Sequence, residues 1–99
     1  MINYKEAKEK ALLYLKNMQE VSYDFDITYV LLDEETSTQS FGWVFFYTSK
    51  EFLETGDFSY MLVGNAPIIV DKFTGDVSET GTAHPIEYYI EQYSQGKKN

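Results

Sequence analysis

Ninety-nine residues with a formal charge of −8, from eight Lys, no Arg and sixteen acids, make one domain spanning residues 1–99. That charge opposes a phosphate backbone and argues against nucleic-acid binding, and the missing Arg removes the usual bidentate grip on phosphate or carboxylate ligands. The absence of Cys excludes disulfides and thiolate metal sites, and no apolar run approaches the ~20 residues of a membrane span.

The opening residues Met1-Ile2-Asn3-Tyr4-Lys5-Glu6 lack the apolar core of a secretory signal, so the chain reads as a soluble cytoplasmic protein. A helix is predicted from residue 3 to about residue 20. Asn3 caps it, with Glu6 three positions on in a variant of the capping box. Tyr4, Ala7, Ala11, Tyr14, Leu15 and Met18 recur at three- and four-residue steps, giving one buried stripe.

Residues 23–32 alternate. Tyr23, Phe25, Ile27, Tyr29 and Leu31 lie on one side of a strand, with Asp24, Asp26 and Thr28 on the other. Residues 33–40 form a polar loop, read as a mobile hairpin connection. Phe41–Tyr47 is a strand apolar in both phases, as central strands are. Two helices in so short a chain are expected to cover one sheet face, leaving the other as an exposed aromatic patch or covered by a loop or a second subunit. Lys50–Glu54 makes one helical turn that stops at Thr55-Gly56 in a left-handed glycine. Phe58, Tyr60, Met61 and Leu62 then return the chain to the sheet.

Pro67–Asp71 is a strand whose leading proline owes the ladder no donor. Asp71–Asp76 turns back on Gly75, and Asp76–Thr80 is a further strand. Pro85 opens the last helix, with Ile86, Tyr89, Ile90 and Tyr93 as its buried stripe and residues 94–99 as a frayed tail. The expected fold is α+β: roughly four antiparallel strands in a meander, with the N-terminal and C-terminal helices packed on one face.

Catalytic chemistry is thin, and the chain reads as a non-enzyme. His84 is the single histidine and no serine sits in a nucleophile elbow, so a triad has no other base to draw on. His84 beside Pro85 reads more readily as a local structural residue. Asp24 with Asp26, and Glu51 with Glu54, share faces as an acid/base or metal pair does, but such pairs are ordinarily solvated faces. Asp33-Glu34-Glu35 is an acidic turn without the spacing or glycine of a calcium loop. No cofactor or metal is expected.

What remains is surface. Tyr and Trp dominate interface hot spots, so Tyr29, Trp43 and Tyr47, with the acidic Asp33, Glu34 and Glu35 nearby, are the candidate partner-binding residues. Trp43 reads equally as core.

Phe41-Gly42-Trp43-Val44-Phe45-Phe46-Tyr47-Thr48-Ser49 and Glu54-Thr55-Gly56-Asp57 resemble the first half of the pattern of the YrhB-like, or immunity protein 35, family. Gly64-Asn65-Ala66-Pro67, Val70-Asp71, Thr74-Gly75, Gly81-Thr82-Ala83 and Pro85–Ile90 resemble the second half. The match covers about residues 41–93, and its order and spacing are more specific than any single piece. The resemblance implies an α+β fold without catalytic residues. It also implies an immunity protein that neutralises a toxin domain of a polymorphic toxin system, papain-like peptidases among them. The alternative it carries is a stand-alone, chaperone-like holdase. A monomer or weak homodimer is expected, with no nucleic-acid or membrane partner.

Overall fold

A computed structural model of the chain describes residues 1–21, 27–60 and 66–96. The first helix, α1 (Tyr4–Val21), starts as its sequence dictates. The Glu6 amide donates to Asn3 Oδ1 at 2.9 Å and the Asn3 amide donates to Glu6 Oε1 at 3.2 Å, so two otherwise unpaired donors are met reciprocally. Its Ala7, Ala11 and Leu15 are buried. The small side chains at two of these three positions let the helix backbone approach the sheet closely.

Beyond α1 come β1 (Tyr29–Leu31), a 3-10 turn (Asp33–Glu35), β2 (Ser37–Gln39), β3 (Gly42–Phe45) and β4 (Tyr47–Ser49). The short helix α2 (Lys50–Thr55) and a second 3-10 turn (Phe58–Tyr60) follow, then β5 (Ile68–Asp71), β6 (Val77–Glu79) and the last helix, α3 (Ile86–Gly96). Four strands form a meander in the order β2-β3-β5-β6, all antiparallel, and β1 pairs antiparallel with β4. The expected α+β class and antiparallel meander are both present.

Three details differ from the sequence expectation. The predicted strand Phe41–Tyr47 is interrupted at Phe46, whose carbonyl accepts the Leu32 amide at 2.8 Å, so β3 and β4 are two ladder segments of one chain path. The polar stretch 33–40 is no open loop. It holds the 3-10 turn and β2, an edge strand whose Ser-Thr-Gln sequence tolerates water on its free side. The predicted strand 23–32 is represented by Tyr29–Leu31, while Tyr23, Asp24, Phe25 and Asp26 lie outside the described residues.

The largest correction concerns the helices, which lie on opposite faces of the sheet. Trp43, Phe45, Ile68 and Val70 pack with Ala7, Ala11 and Leu15 of α1. Val44 and Ile69, in the alternate phase, pack with Phe41, and Ile86, Ile90 and Tyr93 of α3 lie against them. Strands apolar in both phases require cover on both sides. The segment after β6 carries the chain to the second face, which removes the exposed aromatic patch.

Glycines serve this arrangement at two tight places. Gly42 has φ of +149°, and a Cβ there would lie 2.0 Å from the Val70 carbonyl oxygen, so only glycine permits β3 to pair with β5 at this point. At Gly81 a Cβ would lie 2.5 Å from the Tyr89 hydroxyl. That hydroxyl accepts the amides of Ala83 and His84 at 3.1 and 3.2 Å, so the phenol serves as the scaffold for the loop leading to α3.

Candidate interaction surface

The sequence-predicted partner residues separate into two groups. Trp43 and Tyr47 are 9% and 5% exposed and belong to the core facing α1, so they hold the fold and leave little surface for a partner. Tyr29 is half-buried, packed against the same core and edge-on to Tyr47 with ring centroids 5.8 Å apart. Asp33, Glu34 and Glu35 are exposed, and Asp33 is tied to Lys8 of α1 at 3.0 Å. The structure thus brings the tyrosines together inside and leaves the acidic turn outside.

Three further acids make local contacts. Glu51 accepts the Thr28 amide, closing the start of β1 onto α2. Glu54 lies 3.8 Å from Lys50 one helical turn away, an exposed pair of little energetic weight. Glu79 accepts the Tyr14 hydroxyl, and burial followed by that bond pushes the Tyr14 phenol up to about 12. The Tyr47 phenol, buried and facing the charge of Glu79, is also pushed up to about 12.

Asp71 is fully buried, and its role was not legible as part of a generic hairpin signal. One carboxylate oxygen accepts the amides of Phe73 and Thr74 at 2.7 and 3.1 Å, fixing the turn. The other accepts the Tyr93 hydroxyl at 2.7 Å, joining the hairpin to α3. The Tyr93 phenol is raised well above its ordinary value by burial and by this bond.

His84 is exposed, with its ring against Tyr88 at a centroid distance of 4.1 Å. Among the described residues no group of three His, Asp or Glu side chains is placed to hold a metal. No helix among them is long and apolar enough to cross a membrane.

The surface that sequence reasoning missed is the corner made by α2 and the Phe58–Tyr60 turn. Leu53 is 57% exposed and Phe58 76% exposed. The Phe58 ring rests on the half-buried Phe52, centroids 6.0 Å apart. The signal in the sequence was an apolar residue on each side of Gly56 amid Glu51, Glu54 and Asp57, where a plain surface turn would be polar throughout. Expecting Phe58 to return to the sheet concealed it.

Charge is unevenly placed. On α1, Lys5, Lys8, Lys10 and Lys16 outnumber Glu6, Glu9 and Glu20, whereas the described residues beyond it set only Lys50 and Lys72 against eleven acids. The field of the molecule away from α1 is strongly negative.

Residues 5–96 match the family model described as immunity protein 35. A relative from Escherichia coli (strain K12), "Uncharacterized protein YrhB", is 41% identical over 93 residues, covering 94% of this chain and 89% of its own length. No solved structure matches the chain. With the family pattern running through α1, the sheet and α3 alike, this chain belongs to the immunity protein 35 family.

Proposed function

We propose that this protein is an immunity protein that binds and neutralises a cognate bacterial toxin domain, papain-like peptidases being among the targets. Membership of the immunity protein 35 family across residues 5–96 is the observation that carries this reading. The chemistry of the surface agrees with it. An acidic field suits a basic toxin surface, and the polar side chains traced above are engaged in capping, turns and latching. In this reading the protein is not an enzyme. It acts by occluding its partner, in the cytoplasm, as a monomer or weak homodimer, with no nucleic-acid or membrane partner.

The holdase alternative needs a broad exposed apolar face for many clients. The place for one, the second sheet face, is occupied by α3, which favours the single-partner reading.

Co-expression tests it. Cells carrying the toxin domain encoded beside this gene are expected to survive when the protein is present and to die without it. Failure to protect against any such neighbouring toxin, with the immunity protein soluble and folded, overturns the reading.

A further inference from the structure

The α2 corner is tied together by local capping and turn hydrogen bonds. Ser49 Oγ accepts the Phe52 amide at 3.0 Å and caps the helix. Gly56, at φ of +71°, stops it, its amide donating to the Phe52 carbonyl at 2.8 Å. Thr55 Oγ1 donates to the Glu51 carbonyl at 2.7 Å and accepts the Asp57 amide at 3.1 Å, and Asp57 Oδ1 accepts the Ser59 amide at 2.9 Å. The Tyr60 amide donates to the Asp57 carbonyl at 3.0 Å. Five backbone amides of the corner, those of Phe52, Gly56, Asp57, Ser59 and Tyr60, are therefore paired within it, and Leu53 and Phe58 are the apolar side chains it holds out to solvent. An ordered frame presenting apolar side chains loses little freedom when it docks, which is what a binding surface needs.

Beside these two residues Glu54 and Asp57 are exposed, with Lys50, paired to Glu54, the one cation of the segment, so the rim carries net negative charge. We propose that this corner is the docking surface of the protein, and that its occupant is a folded protein presenting an apolar patch edged with Lys or Arg. The proposal rests on the immunity reading, with the toxin domain as that partner. Phe58 and Leu53 enter the apolar patch, while Glu54 and Asp57 meet the cationic edge and speed encounter. A second copy docking corner to corner would set like charges against each other.

The decisive measurement uses the toxin domain against which the wild-type chain protects. Phe58→Glu is expected to weaken its binding roughly 30-fold or more and to abolish protection, with circular dichroism and melting unchanged because Phe58 lies outside the core. Glu54→Lys is expected to slow association about tenfold at low salt, an effect that disappears at high salt. Leu13→Glu, an apolar position on the lysine-bearing helix α1 as exposed as Leu53, is expected to leave binding unchanged.

Protection retained by Phe58→Glu overturns the corner while leaving the immunity reading intact. So does sedimentation showing a wild-type dimer that Phe58→Glu dissolves, since the occupant is then a second copy. A wild-type chain that protects against no neighbouring toxin overturns the immunity reading, and this proposal with it.

Discussion

The two faces of the sheet are closed in different ways. Under α1, Ala7, Ala11 and Leu15 are buried against Trp43, Phe45, Ile68 and Val70. Under α3, Ile86, Ile90 and Tyr93 are only half-buried against Phe41, Val44 and Ile69, and no residue of that helix is fully buried. The first face relies on close approach through small side chains. The second relies on longer side chains and one polar latch, Tyr93 to Asp71, with the Tyr93 ring also 4.7 Å from that of Phe41. A helix held mainly by apolar contact separates only with the whole core, whereas a helix held by a latch separates when the latch is cut.

The largest expected effect comes from the α1 face. Phe45→Ala removes a fully buried ring and is expected to destabilise the protein by about 3–5 kcal/mol, lowering the denaturant midpoint of the entire fold in a single transition. A transition in which α1 is lost before the sheet would contradict the view that α1 is part of the main core.

Asp71→Ala comes next. It strands the amides of Phe73 and Thr74 and the Tyr93 hydroxyl, for an expected loss of about 2–3 kcal/mol. Amide exchange should speed up in both the hairpin and α3. Tyr93→Phe is milder, at about 1–2 kcal/mol, because it keeps the ring and removes a single hydrogen bond to the buried carboxylate. It should accelerate exchange in α3 while α1 remains protected. Equal acceleration in both helices would dissolve the distinction between the faces.

The effect that leaves stability at neutral pH untouched is one of alkaline pH. The Tyr14 and Tyr47 phenols are raised to about 12 in the folded protein, against about 10 in the unfolded chain. Their contribution to stability is fully present below pH 10 and is lost as pH rises through 12, since the unfolded state releases those protons first. Urea titrations across that interval should show a declining midpoint, and Tyr14→Phe should make the decline shallower.

Much of the local structure was legible because its causes are local. The Asn3–Glu6 cap, the Gly56 stop, the turn on Gly75 and the start of α3 after Pro85 each depend on a few neighbouring residues, and each occurs where its signal lies. The edge strand Ser37–Gln39 was not legible, because polar residues pair with a neighbouring strand only once that strand, β3, is in place. The candidate surface fared worst. Trp43 and Tyr47 had the composition of interface residues, but burial is a property of what packs on them, while Leu53 and Phe58 looked like residues bound for the core.

The sequence by itself determined the helices, the main apolar strands and the α+β class, since capping, turn chemistry and period-two alternation act within a few positions of each other, and it carried the family resemblance. Only the tertiary structure decided which face each helix takes. With both phases of β3 and β5 apolar, alternation is symmetric between the two faces. The symmetry is broken by the path of residues 80–85 around Tyr89, a local contact, and by a buried carboxylate reaching Tyr93, a contact between residues distant in the chain.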